Sequence, residues 1–588
     1  MAEPLRVANC SGFYGDRLSA AREMVEGGPI DVLTGDWLAE LTMLILARTQ
    51  AKTPGSGYAR TFVSQMEQVM GSCLAKGIKV VSNAGGLDPQ RCAEAVAEVA
   101  DRLGLNPTIA YVNGDDLVGR LDEFRAGDLT DFDHGGPVPD REYISANAYL
   151  GCWGIVEALN AGADIVVTGR TTDAAIVCGP AAWHHQWSRD AWDPLAGAVV
   201  AGHVIECGTQ ATGGNYSFFT EIEGLERAGF PIAEIAADGS SVITKHPGTG
   251  GAVTVGTVTS QLLYEIGSPA YLGPDVTSRF DTIALTQAGP DRVQITGTRG
   301  QAPPDRLKVS MNSWGGFRTD LTIALTGLDV EAKAALLHEA FWAASPVPVD
   351  SFASVTETLV RTDHDDPASN EAATASWRLT VKDPDERNCR AIGVAVNEMA
   401  LATIPGFYGL AGGGIAKPFG IHTAGLIPAD LVPQQVVVLG GARTVVESVA
   451  PPADPVAVVE PDVPVVQTRS WSGPTRRVPL GHLVGARSGD KGGTANLGVF
   501  ARTADVYAWL DQELSVDRLR QLLPESDGLR IERFAFPNLW SLNFLIHGLL
   551  QEGVAASTRQ DGQAKSLGEW IRARHVDIPV ALLERSQP

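Results

Sequence analysis

Ile78-Lys79-Val80-Val81-Ser82-Asn83-Ala84-Gly85-Gly86-Leu87-Asp88-Pro89 is a short apolar run that passes through small polar residues and two glycines into an acid followed by proline. Asp88 suits a helix N-cap and Pro89 suits a first helical position. The stretch therefore predicts a strand over 78–82, a turn, and a helix over 90–103. Two glycines facing a helix N-terminus make a cradle for a phosphate or carboxylate, with Asn83, Gly85 and Gly86 as its binding residues. No G-x-x-x-x-G-K-[ST] and no G-x-G-x-x-G follows a strand, so neither nucleotide fingerprint is met.

The same unit recurs on both sides. Leu5 to Cys10 reads as a buried strand, with Ser11–Arg17 as its loop and a helix from Leu18 to Val25. Ile30 to Leu33 is the next strand, and a helix opens at Gly35–Trp37 and runs to about Arg48. Further strands are expected at Pro107–Val112 and Ile165–Val167, separated by a long helix around Ala146–Asn160. Alternating strands and helices predict an α/β domain over 1–268 with a mostly parallel sheet and its ligand loops at the strands' carboxyl ends. Between 269 and 450 the texture changes to alternating segments such as Arg292–Thr296, Leu321–Leu325 and Trp377–Val381, which predict an α+β region. The Leu410–Gly414 run there reads as a turn or a close backbone approach.

Five prolines between Pro451 and Pro464 predict an extended linker over 451–475. A small α+β module over 476–588 follows, with a strand at Val478–Val484, a polar glycine-rich loop over 486–496 and a helix near Val516–Leu523.

The bulk properties narrow the partners. The 588 residues suit three or four domains. The net charge of −23, with no basic block to override it, argues against nucleic acid. A small anion remains compatible, because a local pocket can oppose the global sign. No secretory leader and no membrane span is legible. The seven cysteines are scattered and never form a C-x-x-C pair, which favours reduced thiols in the cytoplasm. A homo-oligomer is expected.

Gly202-His203-Val204-Ile205-Glu206-Cys207-Gly208-Thr209-Gln210-Ala211-Thr212-Gly213-Gly214-Asn215 is the densest collection of reactive side chains. As a helical turn it puts His203, Glu206 and Cys207 on one face; as a strand it turns Glu206 away from the other two. Simple packing beside a glycine-rich turn competes equally. Asp36 and Glu40 stand one turn apart, where like charges push one pKa up, although helix-dipole complementation explains them as well. Arg17 and Arg170 are candidate anion binders, because a guanidinium forks onto two oxygens. Asp173 stands three residues after Arg170. In the tail, Arg487, Asp490 and Lys491 form a second candidate ligand loop, for which a capped turn between strands is the plain alternative.

Read together, Ser-Gly-Phe-Tyr-Gly-Asp-Arg (11–17), Gly-Asp-Trp-Leu-Ala-Glu (35–40), Asn-Ala-Gly-Gly-Leu-Asp-Pro (83–89), Thr-Gly-Arg (168–170), the 202–215 stretch and Ser-Gly-Asp-Lys-Gly (488–492) resemble the acyclic terpene utilisation family, AtuA. The tail resembles that family's ferredoxin-like domain. Gly493 stands where the tail motif leads one to expect Asn. The resemblance implies acyclic isoprenoid catabolism, whose intermediates are branched acyl-CoA thioesters. The function expected is a hydratase or carbon–carbon lyase acting on such a thioester. Glu206 or His203 would move the proton, Cys207 would be a reserve nucleophile, and Thr212, Gly213, Gly214 and Asn215 would meet the substrate, with backbone N–H groups facing an enolate-like oxygen. No cofactor is required by this reading. A divalent metal on His203, Glu206 and Cys207 is a minor option, since their spacing matches no standard ligand motif. Two other readings stand beside it: a non-catalytic acyl-CoA-binding or partner subunit, and a phosphate-ester hydrolase.

Overall fold

The computed structural model describes residues 3–124, 128–411, 414–448, 471 and 473–585. Most of the expected linker, residues 451–470 and 472, lies outside the described residues, as do Gly412 and Gly413 of the 410–414 run.

Five parallel strands form the centre of an eleven-stranded sheet, in the spatial order Leu5–Asn9, Val32–Gly35, Lys79–Ser82, Ile165–Thr168, Ile109–Asn113. Val7 lies opposite Val32, Leu33 opposite Val80, and Val81 opposite Val166. These runs are buried on both faces because helices cover them, which is why they read as unbroken apolar segments.

The rest of the sheet is antiparallel, so the sheet is mixed rather than mostly parallel. Pro231–Ile235 and Ser241–Lys245 add beside the first strand, followed by Arg292–Thr296 and Ala284–Gly289. Gln434–Val438 and Arg443–Val446 close the opposite edge. Short turns set the direction within each added hairpin: a connection as tight as Ala236–Ser240, where Ala236 N–H donates to the Ser240 carbonyl at 2.8 Å, reverses the chain and leaves no room for a crossover.

Two further expectations are corrected. Residues 146–160 do not form one helix: Tyr143–Ala148 is a strand, and the helix is only Trp153–Asn160. Strand pairing with Arg306–Thr326 claims the first half, and Gly151 between them sits where a Cβ would lie 2.1 Å from an Asp275 carboxylate oxygen. Similarly, 478–484 is not one strand. Thr475–Pro479 pairs with His575–Pro579, and after a turn at Leu480–His482 a separate strand begins at Val484.

The helix Trp192–Ile205 is buried throughout from Leu195 onward. It is apolar on every side and rich in small residues, which suits close approach to its neighbours. Gly202 allows contact with Ala174, and Gly197 with the Gly239 carbonyl. The C-terminal part is a four-stranded antiparallel sheet in the order Val484–Lys491, Thr494–Ala501, Ser541–Ile546, Ile531–Phe536. Leu497, Leu510, Leu519, Phe544 and Ile571 share its core.

The chain divides into two compact units. The larger comprises Met1–Asn312, His422–Val554 and Asp561–Pro588, and so contains both the eleven-stranded sheet and the C-terminal sheet. The smaller comprises Ser313–Ile421 and Ala555–Gln560. In the smaller unit Ser354–Val360, Thr374–Asp383 and the Phe317–Thr326 part of a long strand pair antiparallel. The helices Val330–Ala344 and Glu386–Met399 bury Phe341 and Ile392 with Ile323, Trp377 and Leu379. Among the described residues, no helix is long and apolar enough to cross a membrane.

Candidate functional site

The parallel strands end at one edge, and the loops leaving them carry Asp36–Glu40, Asn83–Asp88, Asp115 and Gly169–Asp173. That edge is where open α/β sheets bind ligands. Glu40 is the first residue of the helix Glu40–Lys52, and Asp36 lies before it in the loop. The Asn83 amide fastens that loop: its oxygen accepts from Trp37 N–H at 2.8 Å, and its nitrogen donates to Asp36 Oδ1 at 2.5 Å.

Arg170 is almost completely buried. Its backbone N–H donates to Asp115 Oδ2 at 2.9 Å, and Asn147 donates to the same oxygen at 2.8 Å. The guanidinium Nη1 donates to Asp173 Oδ1 at 2.8 Å and to the Leu38 carbonyl at 3.2 Å, and the group lies 4.2 Å from the Tyr149 ring centre. The Tyr149 hydroxyl donates to Glu40 Oε1 at 3.0 Å, and Lys308 approaches the same oxygen at 3.4 Å. His422 stands beside Lys308, its Nε2 3.0 Å from the Ser310 hydroxyl.

The helix Trp192–Ile205 ends with Glu206 as its cap in helical conformation, while Cys207 lies in the turn beyond, so the helical reading describes His203 and Glu206 but not Cys207. His203 Nδ1 lies 3.6 Å from Glu206 Oε1, close but beyond hydrogen-bonding range. Neither ring nitrogen of His203 has a hydrogen-bond partner, and the ring packs edge-on against Tyr271 and Phe280. Burial and the Lys491 ammonium push its pKa down to about 3, against the pull of the Gln261, Leu262 and Tyr264 backbone. The imidazole is neutral at neutral pH. Asn9 anchors the segment by donating to the carbonyls of Ile205 and Glu206.

The C-terminal sheet contributes the remaining charges. Arg487 donates to Gln210 and stacks 4.2 Å from the Tyr264 ring centre. Lys565 lies 3.4 Å from Asp490 and 3.6 Å from Glu265, and donates to the Tyr264 hydroxyl. Lys491 ends the strand Val484–Lys491 and has no ion pair among the described residues.

These groups polarise one another. Burial, then Asp173, pushes Asp36 up to about 8, outweighing Arg170 and Asn83. Burial, then Asp173 and Asp36, raises Glu206 well above the carboxylate range. Burial also raises Asp173, helped by Glu265 and Glu40 and opposed by Arg170. Asp490 is pushed up to about 7 by burial and Glu265. Glu40 goes the other way: burial would raise it, but Lys308, His422 and Arg170 together hold it well below its ordinary value. The cluster thus favours the protonated form of Asp36, Asp173, Glu206 and Asp490 and the ionised form of Glu40.

Other sequence candidates sit elsewhere or are already engaged. Arg17 donates to Glu23 at 2.8 Å and to the Ala228 carbonyl at 3.0 Å. A Cβ at Gly85 would lie 2.5 Å from the Thr168 carbonyl, and Gly86 N–H donates to Asn83, so this cradle is packed against its own protein. Thr212 donates to the Thr209 and Gly229 carbonyls. The N–H groups of Gly213 and Gly214 donate to Gln210 and Thr209, which leaves neither free for an enolate oxygen, and Asn215 is exposed. Burial, then Glu206, raises the Cys207 thiol well above its ordinary pKa, the opposite of an activated thiolate.

Sequence reasoning passed over Tyr149, Glu265, Lys308, His422 and Lys565. Only Lys308 carried a signal, a lysine inside the alternating run Arg306–Ser310. No group of three or more His, Cys, Asp or Glu among the described residues is arranged to hold a metal ion.

The fold and this cluster define a mixed α/β protein whose small C-terminal α+β domain contributes charged groups to the loops of the main sheet. The chain belongs to the acyclic terpene utilisation family, AtuA: that family's profile matches residues 5–438, and the profile of the AtuA ferredoxin-like domain matches residues 478–577. No curated protein and no solved structure matches the chain.

Proposed function

We propose that this protein is an enzyme of acyclic isoprenoid and branched-acid breakdown, acting on an acyl-CoA thioester as a hydratase or carbon–carbon lyase. One observation carries the reading: Asp36 and Glu206 are buried and Asp173 is half-buried, all three with raised pKa values, and the buried cation Arg170 pairs with Asp173. Ionising one carboxyl of such a set makes the next harder to ionise. Near neutral pH the set therefore holds both a proton donor and a proton acceptor, which is what elimination or cleavage next to a thioester needs. Glu206 donates the proton to the departing oxygen, an ionised neighbour removes one, and Arg170 faces the charge that develops on the thioester oxygen. His203, neutral and caged, packs beside Glu206, and the protonated Cys207 thiol takes no covalent role.

The test is a thermal-shift screen against CoA, branched acyl-CoAs, nucleotides and divalent ions, followed by turnover assays on the acyl-CoAs that bind. Glu206→Gln is expected to keep the acyl-CoA shift and to lose about 10²–10⁴-fold in kcat. Binding without turnover in the unaltered protein would favour the acyl-CoA-binding subunit. Shifts with nucleotides alone would sink the thioester reading.

A further inference from the structure

Lys491 differs from every other lysine around the cluster. Lys308 has Glu40 and Lys565 has Glu265 and Asp490 within 4 Å; Lys491 has no ion pair among the described residues, although it is only partly accessible. The hairpin that carries it is wedged in at both ends. A Cβ at Gly489 would lie 2.5 Å from the Tyr264 ring and 3.2 Å from Glu265 Cγ, while one at Gly492 would lie 3.0 Å from His422 Nδ1. Lys491 therefore stands between the Glu265 side of the cluster and the His422–Lys308 side. The left-handed Gly492, with φ of 59°, makes the tight tip that permits this insertion.

The groups facing Lys491 are Lys308 and His203 among the bases, and Glu40, Asp173, Glu206 and Glu265 among the acids. Burial, followed by Lys308, lowers its pKa despite the carboxylates. Desolvation beside a second cation is the arrangement that frees a lysine amine to act as a nucleophile.

We propose that Lys491 is an amine nucleophile that forms an imine with the carbonyl carbon of an aldehyde or ketone bound in this cluster. The amine lone pair adds to the carbonyl carbon, and the oxygen takes a proton to give a carbinolamine. Nitrogen then loses a proton, the hydroxyl takes one from a protonated carboxyl such as Glu206 and leaves as water, and a carbon–nitrogen double bond remains. No electrons are gained or lost, and water is the only product released. The imine is an electron sink for breaking the bond between the α and β carbons of a keto acid or β-hydroxy ketone. This activity stands independently of the thioester reading and extends the site to carbonyl substrates.

The experiment is reductive trapping on the full chain. The protein is incubated with acetoacetate or with 3-methylbutanal, borohydride is added, and peptides are mapped by mass spectrometry. A reduced adduct concentrated on Lys491 is expected, absent when borohydride is added before the carbonyl compound. Adduct spread over surface lysines, or concentrated on Lys308 or Lys565, overturns the proposal, as does no adduct on Lys491. Lys491→Arg must remove the principal adduct. Independently of any carbonyl substrate, competitive acetylation across pH is expected to give Lys491 a reactivity midpoint at lower pH than exposed lysines; an equal or higher midpoint also overturns it. Loss of acyl-CoA binding with trapping intact would leave this inference standing while removing the thioester reading.

Discussion

Asp36 shows how much one environment changes a common residue. Its carboxyl is buried, accepts hydrogen bonds from Asn83 and from Leu38 N–H, and keeps its proton up to about pH 8. The folded pKa exceeds the unfolded one, so the folded state binds the extra proton. Its contribution to stability is complete below the unfolded pKa near 4 and is lost as pH rises through about 8. Asp36→Asn keeps an oxygen for both donors and removes the ionisation. We expect Asp36→Asn to raise Tm by about 2 °C or more over the unaltered protein at pH 8 and to change it little at pH 5, as read by calorimetry. A variant with the same pH dependence as the parent would show that Asp36 ionises freely.

At the scale of elements, the C-terminal strands hold a backbone conformation that the main domain needs. Glu265 is a non-glycine residue at φ of 57°, a left-handed conformation that costs about 1–3 kcal/mol when locked. Asn496 accepts from Glu265 N–H at 2.8 Å and donates to Asn543, which in turn donates to the carbonyls of Ile266 and Gly267. Asn496→Ala leaves the Glu265 N–H and the Asn543 oxygen buried without partners, and is expected to cost about 1–3 kcal/mol in denaturant unfolding. A neutral effect would show that water or a shifted Asn543 replaces it. This pair was not legible in the sequence, because residues 265 and 543 meet only through the packing of two sheets. What was legible follows one rule: signals within a single element survived. The Asp88–Pro89 helix start is observed, with Asp88 capping Arg91 N–H at 3.0 Å, and the five buried strands fall where the apolar runs put them. Asp36 and Arg170 were visible because each follows such a strand at the sheet edge, and Glu206 because it ends an apolar helix. The antiparallel edge strands were missed because a buried run does not state its direction. Gly213 and Gly214 misled because a glycine permits a ligand's approach and a tight turn equally, and here the turn uses both amides.

For the molecule as a whole, the seam between the α/β sheet and the C-terminal domain is built from specific bonds. Arg502 forms a two-pronged ion pair with Glu221 at 2.7 and 2.9 Å, Ser217 both donates to and accepts from the Ala486 backbone, and Asn538 donates to the carbonyls of Phe280 and Ile283. Phe500 stacks on Tyr216 across the same seam. A chain ending at residue 470 would expose these apolar faces and remove Lys491, Asp490 and Lys565. It is expected to lose the acyl-CoA thermal shift entirely and to bind a hydrophobic dye, while the full chain does neither. A truncated chain that still binds acyl-CoA would show that the tail adds nothing to recognition.

More than five hundred residues separate Asp36 from Lys565. A ribosome adding roughly 5–20 residues per second needs about half a minute to nearly two minutes to make that stretch. In the unfolded chain Asp36 and Glu206 face water as ordinary ionised carboxylates. Burying them is then a titration as well as a folding step: the closing molecule must draw protons from its surroundings into its own interior, and it reaches its working state only once they have arrived.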